Sequence, residues 1–220
     1  RREEIRERII QFMNLLSENL SVLDNGLIYH PIERSLNQMG SGWSRRSGLN
    51  KLVKNSLSFL RIIDEKKKKL HQINKKKMIN KSIGYHQFNM YAFAILKENL
   101  PDHPFWKSPE FNKSVNFLLS DEYKNEVSEN KYGFPYNPPG FEIPYALKVF
   151  ADISSDELIK ISSLWVNEQF KRCYNTETKM MDKNTEDPLT HTARIYELSR
   201  LPISILKKIE LNVEFVGDFS

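Results

Sequence analysis

Residues 131–150 read KYGFPYNPPGFEIPYALKVF, with six aromatic residues, four prolines and two glycines in one stretch. Pro138, Pro139 and Gly140 stop any helix that precedes them, because proline lacks the backbone N–H and restricts the residue before it. After Glu142 the pattern becomes helical. Ile143, Ala146, Leu147 and Phe150 recur at helical spacing, and Pro144 falls at an early helical position that tolerates proline. An aromatic loop therefore feeds the N-terminus of a helix, with Glu142 at the join. Such a carboxylate either complements the helix dipole or sits in a pocket of rings. In the pocket, loss of water raises its pKa toward acid–base use.

On either side the same helical grammar repeats. Upstream, Ser108-Pro109-Glu110 opens a helix that turns Phe111, Val115, Leu118 and Leu119 inward. Before it, Gly84 precedes YHQFNMYAFAILKENL, apolar nearly all round and so expected to start a buried helix near His86; Pro101 and Pro104 end it. Ser47 is a plausible N-cap for a helix carrying Leu49, Leu52, Val53, Leu57, Leu60 and Ile63. Residues 26–49 form a long loop after the turn signal Asp24-Asn25-Gly26. Residues 1–20 form an amphipathic helix with Ile5, Ile9, Phe12, Leu15 and Leu16 on one face. Downstream, Ser154, Ser155 and Asp156 cap an amphipathic helix bearing Leu158, Ile161, Leu164, Trp165 and Phe170. Asp187-Pro188 opens DPLTHTARIYELSRL, which Pro202 interrupts. The tail IELNVEF alternates as a strand does.

Inner helices rich in small residues thus begin near Ser47, His86, Glu142 and Thr190, alternating with outer, charged ones. A unit of roughly 40–50 residues with two helices predicts an all-α fold built as an array of αα-hairpins. If the hairpins close into a partial or complete (α/α) toroid, the inner-helix starts meet on one rim. That rim collects Arg45 and Arg46, Tyr85 and His86, Glu142, and His191 with Arg194, beside Trp43, Tyr132, Phe134, Tyr136 and Phe141. Caps explain Ser47 and Glu142 but not His86, since a cationic histidine is disfavoured at a helix N-terminus.

Composition bounds the alternatives. The 220 residues are 40% apolar and 11% aromatic, enough for one domain with its own core. Residues 1–220 are read as a single helical-hairpin domain. The chain opens on RREEIRERII, already helical and without a signal peptide, so it is also read as a possible piece of a larger ring. Cys173 is the sole cysteine, which excludes an internal disulfide and fits a reducing, cytoplasmic setting. No apolar run reaches the roughly 20 residues of a membrane span. The net charge of +5 is local: eight lysines between Lys66 and Lys81 outweigh it, with no acid among them. Such a run is either a solvated helix end or connection, or a patch for nucleic acid or another anionic surface. Nucleic acid is the less favoured partner.

The histidines are scattered, with no His-x-x-x-His pair, and the chain lacks a glycine-rich phosphate loop and a Gly-x-Ser-x-Gly elbow. No metal or cofactor is expected. Tyr85-His86-Gln87-Phe88-Asn89 is either a packed segment with a satisfied histidine or a sugar-contacting cluster. His191, Arg194 and Asp187 share a helix face, as an ordinary surface ion pair would.

The segment GLIYHPIERSLNQMGSGWSRRSGL, residues 26–49, resembles the (α/α)-toroid carbohydrate enzymes. Gly26-Leu27-Ile28-Tyr29-His30 and Trp43-Ser44-Arg45-Arg46-Ser47-Gly48 stand where unsaturated glucuronyl and rhamnogalacturonyl hydrolases carry a Gly-Leu-aromatic-Tyr-His segment and a Trp-x-Arg-x-x-Gly segment. The helix pattern is similar also to N-acylglucosamine epimerase-like proteins. The resemblance implies a glycoside hydrolase-like or epimerase-like enzyme acting on a saccharide or other small polar substrate. Glu142, His86 and His191 would handle protons. Trp43, Arg45, Arg46, Tyr85, Asn89, Tyr132, Tyr136, Phe141 and Arg194 would bind substrate. The alternative is a non-catalytic helical-repeat module that binds a glycan, a peptide or an acidic partner.

Overall fold

In the computed structural model the described residues are 2–29 and 57–212, with the backbone alone for Arg2 and for residues 57–67. Among the described residues the fold is all-α: no strand forms, and two isolated bridges, Val22 with Ile28 and Asn175 with Met180, are the extended pairings. The helices are α1 (Arg2–Asn19), α2 (Leu57–Asn99), α3 (Pro109–Leu119), α4 (Asp121–Ser128), α5 (Pro139–Phe150), α6 (Ser155–Cys173), α7 (Pro188–Ala193) and α8 (Ile203–Leu206). A 3₁₀ turn spans Pro104–Lys107, and a 3₁₀ segment, Arg194–Arg200, continues α7.

The helix starts follow side-chain chemistry. Ser108, Ser154 and Asp187 each accept a hydrogen bond from a first-turn amide of α3, α6 and α7. Ser120 does the same for α4, a short helix that the sequence pattern did not announce. Asp24-Asn25-Gly26 turns as expected, with Gly26 at φ 97°, a conformation that favours glycine.

α5 is the centre of the molecule. Every residue from Pro139 to Leu147 is buried, and α2, α6 and the Arg194–Arg200 segment pack around it. Gly140 allows the α6 approach, because a Cβ there would lie 2.5 Å from the Trp165 carbonyl. Under the far end of α5, Phe93 packs edge to face with Phe105, and Phe111 with Trp106 and Phe150.

Four expectations need correction. α2 runs unbroken for 43 residues through the lysine run and through Gly84, so no helix starts at His86 and no loop separates two hairpins there. Gly84 is a close-packing point: a Cβ would stand 2.3 Å from the Cβ of Tyr132 and 2.6 Å from its carbonyl carbon. α5 begins at Pro139 instead of Glu142, with Pro138 as cap, which places Pro144 inside the helix. On α1, Met13 is the buried residue while Ile5, Phe12 and Leu15 are exposed. On α3 and α6, Leu119 and Leu164 also face outward. The helix drawn from Ser47 and the far end of the tail IELNVEF lie outside the described residues, and Ile209 to Asn212 show no strand.

Candidate functional site

Three segments meet at one place on the surface: the middle of α2, the loop 131–137, and the start of the Arg194–Arg200 segment. Gly84 lets the loop lie against α2. Asn137 fastens it, donating from Nδ2 to the carbonyls of Gly84 at 2.7 Å and Tyr132 at 3.0 Å. Four rings gather there. Tyr85 lies 6.0 Å from Phe88, 5.9 Å from Tyr136 and 6.2 Å from Tyr132, centroid to centroid. Tyr136 is 55% exposed and Phe88 41%. Burial, with a hydrogen bond to Tyr136, pushes the Tyr85 hydroxyl up to about 12. Lys81 and Lys131 place their ammonium groups over the rings of Tyr85 and Tyr132, at 5.4 and 4.8 Å.

Behind these rings lies a charged network. The Arg194 guanidinium sits 5.6 Å from the Phe88 ring centroid. Its Nη2 donates to Oε1 of Glu142. Its Nε donates to Oε1 of Glu197 at 2.9 Å, and Nη1 reaches Oδ1 of Asn137 at 3.4 Å. The arginine side chain is 15% exposed, Glu142 is wholly buried and Glu197 nearly so. One cation thus stands between two acids and shows one edge to solvent. Oε2 of Glu142 has no partner among the described residues. Loss of water raises the Glu142 carboxyl to about 8; Arg194 pulls it down, and Glu197 adds to the rise. Glu197 is raised by burial too, against the pull of Arg194.

The other sequence-derived candidates separate. His86 is buried, with Nδ1 accepting from the Ile28 amide at 3.4 Å and Nε2 donating to the Ser114 carbonyl at 3.1 Å. Both ring nitrogens therefore meet main chain, and the histidine ties α2 to α3 and to the chain after α1. His191 is buried one turn before Arg194, its Nε2 2.9 Å from Nε2 of Gln169. Gln169 Oε1 accepts from the Gly140 amide, so its Nε2 is the donor and His191 Nε2 the acceptor. Burial, and then the Arg194 charge, lower this histidine to about 4. Asp187 caps α7, accepting from the Thr190 amide at 3.2 Å.

The rings expected to wall a cleft around Glu142 divide. Phe134 stacks on Trp165 in the core, and Phe141 packs with Val166, Phe170, Cys173 and Met181. Tyr132 and Tyr136 stay with the surface group. Asn89 lines a separate groove against Phe12 and Leu15 of α1. Trp43, Arg45 and Arg46 lie outside the described residues. Among the described residues no three histidine, cysteine or acidic groups are placed to hold a metal ion.

Glu197, Asn137 and Gln169 were not singled out in the sequence, whereas Phe88 was named there within the Tyr85–Asn89 cluster. Glu197 carried a signal, standing three residues after Arg194 on one helix face. Asn137 and Gln169 carried none, because their partners are 53 and 29 residues away.

No family model and no solved structure matches the chain. Over 204 residues the chain is 33% identical to a protein named Archaeal glycosylation protein Q from Haloferax volcanii. That similarity takes in 90% of this chain and 51% of the relative, so the chain spans about half the length of the protein it matches.

Proposed function

We propose that this chain is a carbohydrate-active module of a glycosylation system, taking a saccharide on the ring face of Tyr85, Phe88, Tyr132 and Tyr136. The observation that carries the proposal is the seating of Phe88, at one edge of this ring group, 5.6 Å from the Arg194 guanidinium, which in turn holds the buried Glu142. Aromatic rings offer flat apolar surface to the C–H faces of a sugar ring, and a few polar groups behind them fix its orientation. The name of the relative supports a saccharide as the substrate class.

Arg194 is the charged group that meets the substrate side. Glu142 stands behind it as a neutral acid, the form that its raised pKa favours at neutral pH. A neutral carboxyl group is a proton donor, and Oε2, which has no partner among the described residues, is the oxygen left to carry that proton while Arg194 holds Oε1. Glu197 keeps the guanidinium oriented. In the finer form of this proposal the helices are part of an (α/α) toroid, and the reaction is glycoside hydrolysis or epimerisation. Trp43, Arg45 and Arg46 retain their place as substrate contacts and His86 is an anchor of the scaffold, while His191, whose one acceptor nitrogen is taken by Gln169, is a neutral packing group instead of the base expected from the sequence.

The test is Glu142→Gln assayed on the saccharide found by screening oligosaccharides, beside a thermal melt. The amide copies the size and neutrality of the protonated acid, so the fold is retained. Loss of general acid catalysis lowers the rate by about 10²–10⁴. Full activity in the variant removes Glu142 from the reaction. A second reading, a module that binds saccharide without turning it over, is favoured by the complete burial of Glu142. That reading predicts unchanged saccharide affinity in Glu142→Gln and no turnover in either protein.

A further inference from the structure

From Lys66 to Lys97 the chain contains no acidic residue, and eight of its lysines fall between positions 66 and 81. All of this lies on one continuous helix, α2. The helix joins the core only from Ile79 onward, where Ser82 and Ile83 are buried. Before that point, residues 68–77 are exposed at every position except Asn74, which is half-buried. From Lys68 on, the lysines of this arm are therefore solvated, but they lie within a helix and not at its end or in a connection.

Two apolar residues interrupt the lysines. Leu70 is 57% exposed and Ile73 44%. Being three apart, they share a face, and Lys69 and Lys77, both exposed, stand one turn before and one turn after Ile73. An apolar pair between two lysines is the arrangement in which aliphatic side chains enter a lipid interface while long cationic ones reach the headgroups.

We propose that this arm docks the protein peripherally on an anionic lipid surface. Charge complementarity carries the choice, since without the eight lysines the chain is acidic overall. Clusters of four to eight basic residues on an exposed helix attract anionic headgroups. Nucleic acid fits less well. Between Lys66 and Gly84 there is no arginine and no Phe, Tyr or Trp, the residues that read base edges and stack on bases. Lysine is a point charge without the fork that arginine offers. Among the described residues no helix is long and apolar enough to cross a membrane.

The test is co-sedimentation of the full chain with equimolar phosphatidylglycerol–phosphatidylcholine vesicles, with pure phosphatidylcholine vesicles, and with a mixed-sequence DNA duplex. Binding to the anionic vesicles alone, weakened by added salt, is the expected result. Each lysine removed lowers the partition coefficient about fivefold, the equivalent of about 1 kcal/mol. Lys75→Gln, Lys76→Gln and Lys77→Gln together therefore lower it roughly a hundredfold. Leu70→Ser with Ile73→Ser weakens binding at unchanged helical circular dichroism. No vesicle binding, equal binding to neutral vesicles, tighter binding to the duplex, or unchanged binding in the Leu70/Ile73 variant each overturns the proposal.

Discussion

Arg194 donates from Nη2 to Oε1 of Glu142, a residue 52 positions earlier in the chain, and so ties the segment after α7 to the central helix α5. The same guanidinium holds Glu197. One positive charge cannot neutralise two buried carboxylates. A proton settles on the acid that is deeper and less satisfied, and Glu142 is that acid, fully buried with Oε2 unpartnered among the described residues.

This gives a pH dependence with a definite sign. The Glu142 carboxyl rises from 4.5 to about 8 on folding, so its contribution to stability is complete below 4.5 and is lost as pH climbs toward 8. His191 falls from 6.5 to about 4, so its contribution is present above 6.5 and lost as pH drops toward 4. Between 4.5 and 6.5 the two slopes oppose each other. Denaturant titrations at a series of pH values are expected to show a plateau there and a decline above it. Glu142→Gln flattens the decline on the alkaline side. A decline that persists unchanged in that variant assigns the titration to another group.

Arg194→Met removes the cation and leaves two acids facing apolar surroundings. Breaking a buried ion pair from one side costs about 3–5 kcal/mol. The loss is expected to be smaller at pH 5 than at pH 8, because protonation then relieves the orphaned carboxyls. Urea midpoints at the two values measure it. Equal losses would mean that the acids are already neutral in the native protein at both.

Gly84→Ala pushes a methyl group into the backbone of Tyr132. The loop must then retreat, or α2 must bend. An overpacked contact of this kind costs about 1–3 kcal/mol. The change also separates Tyr85 from Tyr132 and Tyr136, so saccharide affinity falls along with the melting temperature. Gly133→Ala, where a Cβ would meet the Val127 carbonyl at 2.3 Å, is expected to destabilise the same loop.

Local chemistry was legible in the sequence and long-range packing was not. The caps at Ser108, Ser154 and Asp187 depend on residues within one turn, so reading them required no partner from elsewhere. The all-α class followed from the same short-range periodicity. Glu142 stood out because a lone acid among rings has few places to go. Gly84 misled, because a glycine that ends a helix and one that admits a neighbouring backbone look alike without Tyr132 in view. His86 looked exposed to chemistry for the same reason: the Ile28 amide and the Ser114 carbonyl that occupy its ring are 58 and 28 residues distant. Phe134 and Phe141 were grouped with Tyr132 and Tyr136 by proximity in the chain, yet the turn into α5 sends the two phenylalanines inward.

The central claim is that the rings of Tyr85, Phe88, Tyr132 and Tyr136 form a saccharide platform beside Arg194, and calorimetric titration of oligosaccharides into the full chain tests it most directly. Phe88 and Tyr136 are the two most exposed rings of the group, so Phe88→Ala and Tyr136→Ala remove platform without opening the core. Stacking contacts of this kind contribute about 0.5–1.5 kcal/mol per ring beyond buried area. The account predicts measurable saccharide binding in the parent protein, a loss of roughly tenfold in affinity in each variant, and unchanged melting temperatures. Binding that survives both substitutions at full strength would contradict it.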